Sequence, residues 1–388
     1  MKKVLYFVPQ FPGLTETFIE REVSKLVGHN KLDVTVFSLE KGLGETNAGV
    51  EAKTVYRRLS LLDLPAVLLF AVKHAGALVR SFGLAPRVWQ FAKAVGYAKL
   101  FTEYGPNHIH AHFLSEPSTL VMIAANILNV PYSISAHARD VFVDGELVAK
   151  KVESAKFIAV CNKKALDGVA AEIGGLRPNV VLVHHGIDTA QTYFAGDVGQ
   201  KASPPMVFVG SRLVEKKGIE YAIEAAKLLK DKGLAFELHI VGPGPLYQKL
   251  ADTIKSLGVG DVVFIHGEGK GLPHAQVREF FKKAAIFVHS SVESVDGDTD
   301  GIPNFVAEAA LAKLPIVTTH VGSITELIDD TSGILVEQKD SAALANAIET
   351  LLGNANLRNR LGDVAYQKAV ELFDLEKNVG ELEKLFLS

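Results

Sequence analysis

The sequence lacks several features by which whole classes of protein are recognised. Its 388 residues include a single cysteine, Cys161, so no intramolecular disulfide can form and a reducing compartment is expected. The longest apolar candidate for a membrane span, Leu64–Val72, falls well short of the roughly 20 residues that cross a bilayer. The N-terminal apolar run Val4–Val8 is too short for a signal peptide and predicts a buried first strand. These absences favour a cytoplasmic protein without a spanning helix.

Excess positive charge and a glycine fingerprint are also missing. The formal net charge is −3, so no nucleic-acid partner is expected. A dinucleotide-dependent oxidoreductase would carry Gly-x-Gly-x-x-Gly after its first strand, whereas Val8 is followed by Pro-Gln-Phe-Pro-Gly-Leu-Thr, with one glycine. The sequence therefore argues against that class.

What the sequence does contain is an alternation of short β-branched runs with helical stretches, which is typical of parallel sheets with crossover helices. The length suits two or three domains of about 150 residues, and residues 188–205 have the glycine- and proline-rich composition of a linker. We predict an α/β fold with two Rossmann-like, doubly wound domains, 1–187 and 206–370, facing each other across a cleft. The predicted strands are Lys3–Val8, Asp33–Leu39, His108–His110, Tyr132–Ala136, Phe157–Cys161, Val180–His184, Met206–Gly210, Phe236–Val241, Val262–His266, Ile286–His289 and Ile316–Thr319. The predicted helices between them include Glu116–Leu128.

A basic loop follows the predicted strand Met206–Gly210 and reads Ser-Arg-Leu-Val-Glu-Lys-Lys-Gly. A turn from a strand into a helix offers free backbone amides and the positive end of the helix dipole to an anion. Arg212 adds a fork-shaped donor and Lys217 a mobile point charge, which together suit a diphosphate. We expect the Lys217 side chain to be exposed. The alternative interpretation is a solvated basic loop that ends a turn.

An acidic segment precedes and enters a later helix. Pro303 can start this helix, because the amide hydrogen that it lacks is not needed there. The amides of Asn304 and Phe305 would face an anion. Asp300 precedes the helix and Glu308 lies about one turn inside it, so both carboxylates can face one crevice and suit ribose and sugar hydroxyls. The alternative is a capping role for Asp300 with an exposed Glu308.

These two segments, together with five others in the same order, closely resemble the family 4 glycosyltransferases of the GT-B fold, in the branch that builds bacterial exopolysaccharides such as colanic acid. The other matching segments are Phe11–Glu22, His110-Ala-His112-Phe, Tyr132–Asp140, His185-Gly-Ile-Asp188 and Val241–Leu250. Two departures from the family pattern are Asp300, where the family has glutamate, and Asn304, where a small apolar residue is usual. The resemblance also implies that a C-terminal helix, 371–388, returns to the N-terminal domain.

The resemblance assigns roles to individual residues. It implies catalytic roles for Arg212, Lys217, His112 and Asp300, with Arg212 and Lys217 on the donor diphosphate and Glu308 on the ribose. The implied donor-binding residues are Gly13, Arg212, Lys217, Gly242, Asp300, Gly301, Asn304, Phe305 and Glu308. The implied acceptor-binding residues are Glu16, His112 and His137. The alternative for Glu16 is a purely structural one, in which a capping box of Thr17 and Glu20 begins a helix at this point.

The implied reaction is transfer of a sugar from a nucleoside-diphosphate sugar to an acceptor hydroxyl of a glycan or lipid-linked oligosaccharide. The resemblance implies retention of anomeric configuration, no cofactor and no metal. His-x-His at 110–112 has no cysteine or carboxylate beside it in the sequence to complete a zinc site. Asp296, Asp298 and Asp300 resemble the start of a calcium loop, but its other ligands are absent. The competing hypothesis is a GT-B-fold carbohydrate-binding or assembly protein that has lost catalysis.

One further stretch has an unusual charge pattern. Residues 53–100 carry eight basic side chains and a single acid, Asp63, interleaved with large apolar residues. Such a stretch suits an anionic membrane leaflet, which would place the protein peripherally on the inner face of the membrane. The alternative is a pair of amphipathic helices with their apolar faces packed on the domain and solvated lysines outside.

Overall fold

The computed structural model describes residues 1–13, 16–187, 202–294 and 301–388. The chain divides into two compact units, Met1–Asp188 with Leu375–Ser388, and Thr189–Asp374. Each unit is built on one parallel sheet, so the predicted α/β class with two doubly wound sheets is confirmed.

The sheet of the first unit has seven strands and that of the second has six. The strands of the first unit are β1 Lys2–Phe11, β2 Leu32–Lys41, β3 Thr54–Tyr56, β4 His108–His112, β5 Tyr132–Ala136, β6 Phe157–Val160 and β7 Val180–Leu182. Those of the second are β8 Met206–Gly210, β9 Glu237–Val241, β10 Val263–His266, β11 Ala284–His289, β12 Ile316–Thr319 and β13 Gly333–Val336.

Helices connect these strands. Those of the first unit before the division are α1 Thr17–His29, α2 Ala48–Glu51, α3 Leu64–Lys73, α4 Ala75–Phe82, α5 Val88–Phe101, α6 Glu116–Leu128, α7 Ala138–Phe142, α8 Val148–Ser154 and α9 Lys163–Glu172. Those that follow are α10 Ile219–Asp231, α11 Tyr247–Ser256, α12 His274–Lys283, α13 Asn304–Leu311, α14 Ser341–Gly353, α15 Ala355–Phe373 and α16 Leu375–Leu387, the last within the first unit. Three 3-10 turns complete the described elements: Leu61–Asp63, Glu215–Lys217 and Ile324–Glu326.

The first sheet has the strand order β3-β2-β1-β4-β5-β6-β7, so the chain reverses its direction of travel between β1 and β4. Helices cover both faces, because strands of a parallel sheet are apolar on both sides. One face packs Phe7 and Phe37 against Phe101 of α5. On the other face, Phe386 of α16 packs edge-on against Phe157 of β6.

The second sheet has the order β10-β9-β8-β11-β12-β13 and reverses between β8 and β11. One face of this sheet is mainly aliphatic, with Val207 and Val209 of β8 buried beside Ile223 of α10 and Ile348 of α14. The other face buries the phenylalanine rings of Phe208, Phe281 and Phe287. The reversal point of each sheet is the expected ligand site, because ligands of such folds bind beyond the carboxyl ends of the strands where the strand order reverses.

Most elements agree with the sequence prediction, and β5, β8, β12 and α6 have the predicted bounds. The strands β3 and β13 were not predicted, because each is short and largely half-buried and therefore lacks a strong apolar signature. The capping box of Thr17 and Glu20 was wrong. The N-cap is Glu16 without a side-chain cap hydrogen bond, and Glu20 accepts from Ser24 Oγ at 2.6 Å instead.

Within the described residues, no single helix is long and apolar enough to cross a membrane. One pair of helical segments, Leu61–Lys73 and Ala75–Phe82, meets the length and composition criteria together, but it is bent by 89°.

Candidate functional site

The predicted donor-binding residues of the second unit follow the two strands at which its sheet reverses. Arg212 and Lys217 lie after β8, while Asn304, Phe305 and Glu308 lie on the helix reached after β11. Because all strands are parallel, the carboxyl ends of β8 and β11 share one edge of the sheet. The fold thus brings these two sequence segments to the same edge.

Hydrogen bonds join the loop after β8 to the loop after β11. Ser290 Oγ donates to the carbonyl oxygens of Gly218, at 2.8 Å, and Lys217, at 3.2 Å. The Val292 amide donates to the Lys216 carbonyl at 2.9 Å. Gly218 has a φ of +52°, and a Cβ atom there would lie 2.2 Å from the Ser290 carbonyl oxygen. Only glycine fits this turn, which therefore holds the backbone of Lys217 in place.

The two cations of this loop differ in exposure. Arg212 is exposed, whereas Lys217 is only 7% exposed, so the prediction of an exposed Lys217 was wrong. The reason is that Lys217 ends the 3-10 turn Glu215–Lys217, which the Ser290 and Val292 contacts press against the neighbouring loop.

Gly242 begins the loop after β9 and lies against the loop after β8. The Ser211 amide donates to the Val241 carbonyl at 3.0 Å, and a Cβ atom on Gly242 would lie 1.7 Å from the Ser211 carbonyl oxygen. Any side chain at this position would force the two loops apart. Gly242 thereby sets the position of the residue that precedes Arg212.

The helix α13 begins after Pro303, so the amides of Asn304 and Phe305 have no acceptor within the helix. The Phe305 ring covers the end of β8, because a Cβ atom on Gly210 would lie 2.2 Å from its Cδ1. One turn further on, Glu308 is only 5% exposed, and its Oε2 lies 3.6 Å from His274 Nε2. Glu308 is therefore an inward-facing carboxylate and not the exposed residue of the alternative interpretation.

Two predicted donor-binding residues, Asp300 and Gly301, lie just before α13 in the sequence. Asp300 lies outside the described residues, and Gly301, the first described residue after that gap, is half-buried.

The predicted residues of the first unit also gather where its sheet reverses. Gly13 and Glu16 follow β1, and His112 ends β4, the neighbouring strand. Gly13 is buried, and a Cβ atom there would lie 2.5 Å from Glu16 Oε2. The half-buried Glu16 carboxylate thus packs directly over Gly13.

A line of histidines extends from His112. His112 Nδ1 lies 3.3 Å from His137 Nε2, and His137 Nδ1 lies 3.2 Å from His185 Nε2. At the other end, His112 Nε2 lies 3.4 Å from Glu22 Oε1 and makes no hydrogen bond with a described residue. Glu22 accepts a hydrogen bond from the buried Tyr6 hydroxyl at 3.0 Å. The fold therefore aligns a carboxylate and three imidazoles.

Burial disfavours the charged form of two of these imidazoles, His137 and His185. It lowers the pKa of His185 to about 3 and that of His137 well below its ordinary value, and neighbouring histidines add to both effects. A neutral imidazole has one donor and one acceptor nitrogen. The line can therefore point all its N–H groups in one direction, toward the Glu22 end.

Two buried charged groups fix the loops that carry this line. Asp140 accepts hydrogen bonds from the amides of Leu114 and His137, the latter at 2.8 Å. Lys151 Nζ donates to the carbonyl oxygens of Leu114, at 2.7 Å, and Ser115, at 2.9 Å. Burial raises the pKa of Asp140 to about 7 and lowers that of Lys151 to about 7. The loop after β4 is thus tied to the loop after β5.

The fold brings a cysteine and a carboxylate, both common metal ligands, next to histidines that are distant from them in sequence. Ligand atoms of His137, Cys161 and His185 lie within 4.8 Å of one another, as do those of Glu22, His110 and His112. The second group is poorly suited to a metal, because both ring nitrogens of His110 already contact the hydroxyls of Ser133 and Ser135. A carboxylate and a cysteine therefore do reach the histidines, although neither neighbours them in sequence.

Sequence reasoning missed four side chains of the two clusters: Tyr6, Glu22, His185 and His274. Glu22 and His185 stand inside segments that carry the family resemblance, so that signal was available. Tyr6 stands in an apolar strand and His274 begins α12, and neither position differs from ordinary core or helix sequence.

Comparison with known proteins agrees with this architecture. Residues 195–368 match the family described as Glycosyl transferases group 1. The chain is 27% identical over 373 residues to WcaL of Escherichia coli strain K12, a glycosyltransferase assigned to colanic acid biosynthesis, and the alignment covers 89% of each chain. It is 28% identical over 295 residues to TuaC of Bacillus subtilis strain 168, a glycosyltransferase assigned to teichuronic acid biosynthesis, covering 71% of this chain and 69% of TuaC.

Among solved structures, Anabaena Alr3699/HepE in complex with UDP and glucose superimposes with a TM-score of 0.73 at 16% identity. That superposition covers 100% of this chain and 99% of the Anabaena chain, which shows a common fold. The family 4 resemblance of the motifs is thereby confirmed: residues 195–368 match the group 1 glycosyltransferases, and the chain has the GT-B fold.

Proposed function

We propose that this glycosyltransferase moves a sugar, with retention of anomeric configuration, from a nucleoside-diphosphate sugar to a hydroxyl of a glycan or lipid-linked oligosaccharide in bacterial polysaccharide biosynthesis. The observation that carries the proposal is the convergence of the β8 loop and α13 at the reversal point of the second sheet. The relatives named for colanic and teichuronic acid biosynthesis support the class of acceptor.

In this proposal the second unit binds the donor. The diphosphate contacts Arg212, Lys217 and the first amides of α13, since a helix N-terminus and two cations suit a dianionic group. The Glu308 carboxylate accepts hydrogen bonds from the ribose hydroxyls. Gly242 and Gly301 allow backbone to approach the donor, and Asp300 contacts the donor sugar.

The first unit binds the sugar and the acceptor. His112 and His137 are buried hydrogen-bonding groups, and Glu16 follows β1, the strand that pairs with the strand ending at His112. Contact between the Gly13 backbone and the donor phosphates would require the Glu16 carboxylate, which packs over Gly13, to move aside.

The reaction proceeds by front-face attack. The acceptor oxygen forms a bond to the anomeric carbon as the bond from that carbon to the diphosphate oxygen breaks, and the departing diphosphate takes the acceptor proton. Arg212 and Lys217 stabilise the charge that develops on the leaving group. No protein base is needed, because the leaving group accepts the proton, and Arg212 and Lys217 take the charge-stabilising role that a metal ion would otherwise have.

The first experiment identifies the donor. The intact protein is screened by thermal shift against uridine-, guanosine- and other nucleotide-linked sugars, since a ligand that binds the native state raises its melting temperature. Turnover of the best donor is then measured with EDTA present, and the anomeric configuration of the product is read by proton NMR. Inversion of configuration, or loss of turnover in EDTA that Mg²⁺ restores, contradicts the mechanism. Donor binding without transfer or hydrolysis identifies a carbohydrate-binding protein instead.

The second experiment tests Lys217. We expect Lys217→Ala to lower turnover on the order of 10²–10³-fold, because one preorganised donor to the developing negative charge is lost. Since Lys217 is buried, Lys217→Met keeps most of the side-chain volume and separates loss of charge from loss of packing. The neighbouring Lys216→Ala is the matched control. Turnover of Lys217→Met that equals the wild type, with an unchanged melting temperature, refutes the assignment.

A further inference from the structure

The surface of the first unit carries an unusual concentration of exposed apolar side chains. Sixteen large apolar residues are exposed in the described part of the chain, and ten of them fall within residues 61–89. We call these ten the apolar patch: Leu61, Leu62, Leu64, Leu68, Leu69, Val72, Val79, Phe82, Val88 and Trp89. A patch of this kind on a globular protein marks an interaction site.

The patch exists because its helices are apolar on both sides. On α3, Phe70 is buried and Val67 and Ala71 are half-buried against the core of the first unit. The opposite side of the same helix presents Leu68, 65% exposed, and Leu69, 73% exposed. The helices thus pack on the domain with solvated cations outside, as in the alternative interpretation, but they also leave large apolar side chains exposed.

Positive charge predominates around the patch, since Asp63, the acid within it, is paired with Arg57. Residues 64–101 contain five lysines and arginines and no acid. Lys73 and Arg80 are exposed and make no ion pair with any described residue. Trp89 lies between two further cations, with Lys93 Nζ 4.5 Å and Arg87 Cζ 5.9 Å from its ring centroid.

We propose that the apolar patch docks the protein on an anionic lipid surface. Its leucines and valines would enter the headgroup region while Lys73 and Arg80 meet lipid phosphates, which is how amphipathic helices bind an interface. A second copy of this chain is a poorer occupant, because each patch would bring the same unpaired cations toward the other.

In this proposal α3 and α4 lie on the lipid surface and do not span the bilayer. The segment Leu61–Lys73 is about 20 Å long, whereas a bilayer core is about 30 Å thick. The underside of the segment that follows is also occupied, since Ser81 Oγ donates to Asn126 Oδ1 of α6 at 2.7 Å. Insertion deeper than the outer side chains would break this packing.

Trp89 provides the test, because it is the only tryptophan of the chain. The intact protein is mixed at low salt with vesicles of phosphatidylcholine alone or with added phosphatidylglycerol, and Trp89 emission and co-sedimentation are measured. We expect a blue shift and co-sedimentation with the anionic vesicles only. Leu68→Asp with Leu69→Asp should weaken binding at least about tenfold, because two exposed leucines leave the interface. Arg80→Glu should weaken it about fivefold or more.

Leu176→Asp is the control, since it removes a leucine that is 60% exposed elsewhere on the first unit. Absence of vesicle binding at low salt, or equal binding by the Leu68/Leu69 variant and the control, overturns the proposal. A Trp89 shift that depends on protein concentration and not on lipid also overturns it, in favour of self-association. Donor-induced thermal shifts of the same variants keep this result separate from the proposed reaction, because the patch is not part of the donor site.

Discussion

At the scale of single residues, the second unit places a cation and a carboxylate in nearly complete burial. Lys217 is 7% exposed and Glu308 is 5% exposed. Charged groups are costly to remove from water unless partners or a ligand compensate them. Their burial at the carboxyl edge of the sheet is consistent with a site in which charge is held ready for a polar ligand.

The two residues are expected to recognise different parts of the donor. Glu308→Gln should weaken binding of the nucleoside diphosphate at least about tenfold, because a hydrogen bond to a charged group contributes about 1.5–3 kcal/mol. Binding of inorganic pyrophosphate, which has no ribose, should be unchanged. Both affinities are measured by isothermal titration calorimetry.

Glu215→Gln is the control for this variant, since Glu215 is an exposed acid on the loop after β8. Equal losses of nucleoside diphosphate and pyrophosphate affinity in Glu308→Gln would show that Glu308 acts on the phosphates or on the local fold, and would remove the ribose assignment.

At the scale of elements, α16 is the piece of the chain that completes the first unit from a distance. Its Glu383 accepts hydrogen bonds from Lys31 Nζ at 2.7 Å and faces His29 Nδ1 at 3.2 Å, both next to the end of α1. Its Phe386 is fully buried, with its ring centroid 5.2 Å from that of His110 and 5.3 Å from that of His108. The helix therefore supports the strand that ends at His112.

Truncation of that aromatic anchor should destabilise the first unit. Phe386→Ala is expected to lower the free energy of unfolding by about 3–5 kcal/mol, because a buried ring is replaced by a cavity. The adjacent Leu387→Ala, at a position that is 48% exposed, should change it by about 0.5 kcal/mol or less. Urea denaturation followed by Trp89 fluorescence measures both. Similar small changes in the two variants would mean that α16 does not pack on β4 in solution.

At the scale of the whole molecule, buried histidines couple stability to pH. Burial lowers the pKa of His108 and of His185 from the ordinary 6.5 to about 3, and it lowers those of His110 and His137 well below 6.5. Between these values the unfolded chain binds more protons than the folded one, so stability falls as the pH drops below about 6.5. Burial raises the pKa of Asp140 from 3.8 to about 7. Its effect on the pH dependence of stability is therefore opposite to that of the histidines and offsets the contribution of one of them.

We therefore expect the free energy of unfolding to decrease by at least about 2 kcal/mol between pH 6.5 and pH 5, since each uncompensated proton contributes up to about 1.4 kcal/mol per pH unit. Urea denaturation at a series of pH values measures the slope. His108→Gln retains a side chain that can contact Ser133 but cannot titrate, and it should reduce the slope. His320→Gln, which removes an exposed histidine, serves as the control. A stability independent of pH over this range would contradict the assigned burial.

Much of the architecture could be predicted from the sequence because it depends on local pattern. The β-branched runs of β5, β8 and β12 and the helix α6 were located with their observed bounds, since buried parallel strands and their crossover helices have continuous apolar signatures. The loop from Ser211 to Gly218 and the start of α13 could be selected because anion binding needs a particular order of residues along the chain.

The tertiary structure decided which groups meet and which surfaces remain uncovered. Glu22 reaches His112, and His274 reaches Glu308, across long intervals of sequence that carry no record of the contact. The burial of Lys217 depends on Ser290 of another loop, and the exposure of Leu68 and Leu69 depends on the absence of an element above α3 in the described structure. The physical reason is the same in each case: a sequence specifies how apolar or charged a side chain is, but only the packing of distant elements determines what surrounds it.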